Sequence, residues 1–227
     1  MVGRVVEGVR AHTPGLAEVI VVDDGSSDDT TEVAELAGAR VIRLGLNRGK
    51  GEALRAGIRE AVGEVLMFID ADGQDDPAEI PSLLRALTPG VTMVVGSRFL
   101  GVFLEGSVTP LHRLGNQFLT RAFNLLYGTS LTDLEAGFRA IRSSALHVLD
   151  MKAVRYEVEA EFTLLVLRSG GRVVEVPVTR APRPYGRSAF RSFRDGSRIL
   201  ARMVVGRLET MRMSVRAIRS VAEDDVR

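Results

Sequence analysis

Two short apolar runs, each ending in acid, limit what this chain can fold into. One reads E-V-I-V-V-D from Glu18 to Asp23, and the other E-V-L-M-F-I-D from Glu64 to Asp70. Both are too short for a buried helix, and neither alternates as a half-exposed strand does, so both are expected to be strands buried on two faces. Around them the apolar residues take helical spacing. Val2, Val5, Val6 and Val9 share one helix face, and Thr13-Pro14-Gly15 stops that helix. Asp28 or Asp29 caps a second helix that ends at Gly38, Arg40 to Leu44 is a strand, and Gly51 to Val62 is a third helix. Pro77 opens a helix to Leu87, and Val91 to Val95 is another strand. Strands alternating with helices specify an α/β domain, with a mostly parallel central sheet flanked by helices. In such sheets ligands bind at the carboxyl ends of the strands, where both acidic clusters fall.

The second half is less regular. Leu111 to Tyr127 has helical spacing, and Leu131 to Arg139 is a polar loop holding Gly-Phe-Arg. Val158 to Arg168 is a helix ended by Gly170-Gly171, and Arg172 to Val178 is a strand. Arg180 to Ser188 is a basic loop, and a basic helix-like tail begins at Phe190. The chain's 227 residues fit a single domain, with residues 1–189 as its body and 190–227 as an amphipathic tail. A net charge of +1 points to no polyanionic partner, and nucleic acid is not expected. The absence of cysteine excludes disulfides, thiolate zinc sites and cysteine nucleophiles. No run of about 18 apolar residues exists to cross a membrane, and the first residues lack the apolar core of a signal peptide. The expected location is the cytoplasm, with peripheral contact at the inner face of the cell membrane left open.

Three motifs carry the chemistry. Asp70-Ala71-Asp72 places two carboxylates after a buried strand, and Mg²⁺ or Mn²⁺ takes one or two carboxylates together with phosphate oxygens. The same pattern also occurs in plain solvated turns. Asp23-Asp24-Gly25-Ser26-Ser27-Asp28 can accept hydrogen bonds from ribose hydroxyls or a base, or it can form a turn and helix cap. Asn47-Arg48-Gly49-Lys50-Gly51 leads into a helix whose start favours anions, or is an ordinary strand-to-helix turn. Its spacing fits neither a Walker A loop nor a dinucleotide fingerprint, which speaks against a kinase or a dehydrogenase.

As an ordered set these motifs resemble the family-two glycosyltransferases of GT-A fold. The likeness is greatest to the branch of dolichol-phosphate and polyprenyl-phosphate mannose or glucose synthases. The matching segments are V-V-D-D-G-S-S-D-D-T (21–30), N-R-G-K-G-E-A-L-R-A-G (47–57) and F-I-D-A-D-G-Q-D-D-P (68–77). They continue with V-G-S-R-F (95–99), R-L-G-N (113–116) and D-L-E-A-G-F-R-A (133–140), so the resemblance covers most of residues 2–200.

The resemblance implies a metal-dependent, inverting transfer of a hexose from a nucleotide sugar of GDP-mannose or UDP-glucose type to a polyprenyl or dolichyl phosphate. It places Asp23, Asp24 and Lys50 at the donor, and Asp70, Asp72 and Gln74 at a Mg²⁺ or Mn²⁺ ion. Arg98 and Arg113 would meet the acceptor phosphate, Arg139 would lie near the phosphates, and Asp133 near the reaction centre. Asp133 is also the candidate base if the acceptor is a hydroxyl. The loop Thr179 to Ser188 resembles a flexible acceptor loop. A lysine often follows its serine in relatives, whereas Ala189 stands here, which leaves Arg183 and Arg187 as the basic candidates.

Two expectations remain open. Residues 190–220 can lie on an anionic membrane or pack their apolar face on the body. The family also begins with an apolar strand, whereas Met1-Val2-Gly3-Arg4-Val5-Val6-Glu7 aligns with the helix after it. A GT-A domain without its first strand is therefore expected. The alternatives are the same fold acting on a soluble phosphorylated or glycan acceptor, and a catalytically silent binding protein.

Overall fold

A computed structural model describes residues 1–146, 151–185 and 192–224. Helix α1 (Val2–His12) is followed by strand β1 (Ile20–Asp23), α2 (Thr30–Leu36), β2 (Arg40–Arg43), α3 (Lys50–Glu60) and β3 (Val65–Phe68). A single 3-10 turn (Pro77–Glu79) leads into α4 (Ile80–Ala86), and then come β4 (Met93–Phe103) and α5 (Pro110–Tyr127). The chain closes with β5 (Arg139–Arg142), the one-turn α6 (Ser143–Leu146), α7 (Val158–Arg168), β6 (Val173–Arg180) and α8 (Ser192–Asp224).

The strands form two sheets. β1 and β2 pair in parallel, Ile20 opposite Arg40. The larger sheet has the order β3-β5-β4-β6. β5 is antiparallel to both β3 and β4, and β4 runs parallel to β6. Three of its four strands thus share a direction, as the βα alternation demands, and β5 runs against them. The sequence pattern does not show β5. Its residues Arg-Ala-Ile-Arg look like the end of an exposed loop, yet Arg139, Ala140 and Ile141 are buried. β4 is longer than its apolar run, because past a register shift at Ser97 it pairs Val102 and Phe103 with Thr179 and Arg180 of β6.

Alternation along β4 divides the core. Val94 faces Val5, Val9, Ile80 and Leu83 of α1 and α4, whereas Met93 and Val95 face Phe162 and Val166 of α7. β1 and β3 do not pair with each other. A cavity of about 560 Å³ is lined by Val21 of β1, Met67 of β3, Val5 of α1 and Leu54 of α3. A single sheet short of one strand was the expectation, and the structure instead has two sheets with this apolar cavity lined by both.

The start of α8 belongs to the body. Ile199 and Met203 are buried beside Leu119 and Phe123 of α5 and Leu164 of α7. Tyr127 Oη donates to the Met203 carbonyl at 2.6 Å, and Arg202 pairs with buried Glu161 at 2.8 Å. For these residues the apolar face meets protein. Met203→Ala should therefore lower unfolding free energy by about 2–5 kcal/mol, read from urea denaturation. A loss below about 0.5 kcal/mol, the scale of an ordinary surface change, would show that α8 adds nothing to the core.

Candidate active site

The carboxyl ends of the strands carry a dense charge network around a cavity of about 390 Å³. Its walls include Lys50, Asp70, Asp72 and Gln74 together with Arg98, Arg113, Arg180 and Arg183. Lys50, Asp70 and Glu159 line both this cavity and the apolar one, so the two meet at these residues. The smaller cavity carries the chemistry, because its walls hold the convergent charges while the larger is lined mostly by aliphatic side chains.

Lys50 stands at the first turn of α3. Gly49 before it has φ 96°, a conformation suited to glycine, and the Gly51 amide donates to the Val154 carbonyl at 2.9 Å. The Glu52 and Ala53 amides both bond to the Gly49 carbonyl. The Gly51, Glu52 and Ala53 amides are thus bonded within the chain. Lys50 Nζ instead reaches Asp70 Oδ1 at 2.7 Å and Glu159 Oε1 at 2.6 Å. Burial opposes the charge on Lys50, but these two carboxylates outweigh it and raise its pKa. Burial likewise works to raise Asp70, and Lys50, with Arg180 and Arg98 beyond, pulls it net below its ordinary value. A side chain at Gly137 would press on the Asp70 carboxylate, which accounts for the glycine of Gly-Phe-Arg.

Asp72 and Gln74 are tied to the basic loop. Arg183 Nη2 lies 2.6 Å from Asp72 Oδ2, with Arg180 at 3.7 Å. Gln74 donates its amide to the Ser107 and Ala181 carbonyls, and its Oε1 accepts from Arg180 at 3.0 Å. Asp75, missed in the sequence reading, is buried against Arg180 at 2.7 Å. No cluster of three or more His, Asp or Glu suited to a metal exists among the described residues. The expected donors are Asp70, Asp72 and the Gln74 amide oxygen, all hard oxygens of the kind a Mg²⁺ or Mn²⁺ ion takes beside phosphate. The Lys50 ammonium and the Arg180 and Arg183 guanidinium groups cover these oxygens, as positive charges where a cation would sit.

Several of the expected site residues have partners within the chain. Asp23 accepts from the Ser26 amide and the Thr31 hydroxyl, each at 2.8 Å, and Asp24 accepts from the Arg48 and Gly49 amides at 2.6 and 2.8 Å. Both acids fix loops, and neither lines the charged cavity. Asp133 is fully buried. It accepts from the Arg98 amide at 3.0 Å, from the Arg98 guanidinium twice at 2.7 Å and from Asn116 at 3.1 Å. Both Asp133 oxygens are thus engaged by partners within the chain. Arg98 is correspondingly spent on Asp133, although it still lines the cavity. Arg139 is buried with its guanidinium on the Ala136, Leu134 and Glu159 carbonyls, away from the charged cavity. Arg113 remains at the cavity wall, its guanidinium 4.7 Å from the Phe103 ring centroid. Arg187 lies outside the described residues.

Two further acids, Glu135 and Glu159, had no distinguishing sequence signal beyond Glu135 lying inside D-L-E-A-G-F-R. Glu135 Oε1 and Glu159 Oε2 are buried without a hydrogen-bond partner among the described residues, and both residues line the cavity. Burial, reinforced by the neighbouring Glu159 charge, pushes Glu135 well above its ordinary 4.5. A carboxyl with a raised folded pKa gains a proton on folding, so its contribution is full below pH 4.5 and is lost as pH rises through the folded value. Glu135→Gln should leave stability unchanged near pH 4.5 and raise it at neutral pH. Urea titrations at the two pH values check this, and parallel behaviour of the two proteins would remove Glu135 from the pH response.

The sequence matches the model for Glycosyl transferase family 2 over residues 1–149. The chain belongs to this family. It is 32% identical over 214 residues to an uncharacterized protein of Methanocaldococcus jannaschii, covering 92% of this chain and 87% of that one. It is 33% identical to the polyprenol monophosphomannose synthase of Mycolicibacterium smegmatis, covering 95% of this chain and 85% of that one. Among solved structures it resembles glucosyl-3-phosphoglycerate synthase of Mycobacterium tuberculosis in complex with Mn²⁺ and UDP-glucose. That likeness has a TM-score of 0.71 at 24% identity, covers 91% of this chain and 73% of that one, and bears on the fold alone. The single α/β domain is thus of GT-A type, and the chain is a glycosyltransferase.

Proposed function

We propose that this chain transfers a hexosyl group from a nucleotide sugar to a polyprenyl phosphate, with inversion at the anomeric carbon. The observation that carries the reading is the convergence on one 390 Å³ cavity of Asp70, Asp72 and Gln74 with four arginines, Arg98, Arg113, Arg180 and Arg183. A diphosphate leaving group with its cation suits the acids and Gln74, and an anionic acceptor suits the arginines. Asp70, Asp72 and Gln74 would hold Mg²⁺ or Mn²⁺, which when bound neutralises charge on the departing diphosphate. Mn²⁺ accompanies UDP-glucose in the glucosyl-3-phosphoglycerate synthase structure, which supports the cation assignment.

The acceptor needs no strong base under this reading. A phosphate oxygen is already anionic, so arginines have only to position it and exclude water. Arg113, at the mouth between Phe99, Phe103 and Leu111, and Arg183 on the loop are the cations assigned to that task. With Asp133 filled by Arg98 and Asn116, a hydroxyl acceptor would lack the base proposed for it. A soluble phosphorylated acceptor would fit the same charges. The apolar mouth and the relationship to polyprenol monophosphomannose synthase favour the lipid.

Thermal-shift titration with UDP, GDP and their hexose conjugates, with and without Mn²⁺, tests the donor half. One nucleotide should raise the melting temperature only with the cation, and Asp72→Ala should abolish that rise. An undiminished rise in the variant would move the cation off Asp72. Arg113→Ala should lower transfer to polyprenyl phosphate by about tenfold or more, the scale of one charge-assisted contact, without changing the donor-dependent shift. A weakened donor shift would place Arg113 on the donor side.

A further inference from the structure

Helix α5 is apolar on two faces. Leu119 and Phe123 point into the core. Opposite them Leu111, Leu114, Phe118 and Leu125 are 55%, 61%, 60% and 88% exposed. Their spacings of three, four and seven residues put them on one stripe along the helix. α5 contains no acid, and its exposed Arg113 and Arg121 lie on the solvent side with the stripe. The tip of β4 repeats the pattern at strand period, with Leu100, Val102 and Leu104 exposed. The Arg113 guanidinium lies 4.7 and 5.9 Å from the Phe103 and Phe99 ring centroids, holding the strand tip to the first turn of α5. Phe99, Phe103, Leu111 and Arg113 also line the charged cavity, so the exposed apolar surface runs up to its mouth.

We propose that the outer face of α5, with the tip of β4, is a membrane-docking surface that seats the cavity mouth against an anionic lipid bilayer. The choice of partner rests on the lipid-phosphate reading above, since such an acceptor presents its phosphate at a bilayer surface. Leucine and phenylalanine on one stripe, flanked by arginine and free of acid, is the composition of a helix lying in the plane of the interface. No described helix is long and apolar enough to cross a membrane. A second copy of the chain fits the stripe less well, because a twofold contact would set Arg113 and Arg121 against their own copies with no acid on the helix to meet them. In the tail, by contrast, Ile199 and Met203 are in the core.

Co-sedimentation with vesicles of phosphatidylcholine and phosphatidylglycerol tests the surface. It is run beside transfer to a water-soluble, short-chain prenyl phosphate. The wild-type chain should sediment. The double variant Leu114→Asp/Phe118→Asp should lose partitioning by about tenfold or more, with soluble-acceptor turnover and melting temperature retained. Wild-type partitioning by the variant overturns the proposal, as does a wild-type chain that stays in the supernatant, or one that elutes as a dimer the variant splits. The chain has no tryptophan, so Phe118→Trp adds a single fluorophore without inserting charge. Its emission should shift to the blue on adding vesicles, whereas Leu36→Trp, at a position 89% exposed on α2, should not shift. An unshifted Phe118→Trp spectrum overturns the proposal even if the double variant fails to fold. Vesicle binding without transfer to any lipid phosphate would support the surface while defeating the acceptor assignment.

Discussion

The site depends on one buried ion pair. Asp133 takes the Arg98 guanidinium on both its oxygens, and Asn116 and the Arg98 amide complete its shell. Those bonds join β4, the loop before β5 and α5 at a single carboxylate. Glu175 of β6 accepts from the Thr132 and Asp133 amides and so holds the same loop from the other side. A buried pair of this kind returns little net stability, but removing one partner costs about 3–5 kcal/mol because the other charge stays buried. Its effect is to fix geometry: Arg98 is held at the cavity wall, and α5 is set against the mouth.

A second bridge sets another part of the cavity wall. Lys50 spans Asp70 on the end of β3 and Glu159 in the first turn of α7, so the two helices α3 and α7 are referenced to one lysine. Asp72 and Gln74 continue that wall and are bound by Arg183 from the loop after β6 and by Arg180 at its end. Acids and bases therefore alternate around the cavity, each held by a neighbour from a different element. This is preorganisation in the electrostatic sense, with charges placed before any ligand enters.

Much of this was legible in the sequence, for reasons that name its limits. The helices at α1, α5 and α7 show because an apolar face repeats at helical period, and β1 and β3 show because short apolar runs end in acid. β5 does not show, because Arg139 and Arg142 make a four-residue strand look solvated. The Asp70–Asp72 pair could be singled out from spacing, whereas the internal engagement of Asp133, Arg98 and Arg139 could not. Nothing local reveals that a distant arginine or carbonyl will fill a side chain. Glu159 lies on a helix whose moment is weak because nearly every face is buried, so its sequence context gave it no contrast. The outer stripe of α5 was present in the sequence at helical spacing, but a second apolar face cannot be told from a broader core face until the neighbours are placed.

The hydrogen bonds that tie β6 and the loop after it to residues 72–79 span long stretches of chain. Asp72 meets Arg183 across 111 residues, Gln74 meets the Ala181 carbonyl across 107, and Glu79 holds the Thr179 amide across 100. Each of these loops must be closed against chain entropy before its contact returns anything. The β1–α2–β2 unit is built from local contacts and has no such requirement. Folding should therefore complete the nucleus of local βα units well before the cavity exists. A chain that has secondary structure throughout can still lack the cavity until β6 arrives beside β4, and that docking event is the point at which a collapsed chain becomes a transferase.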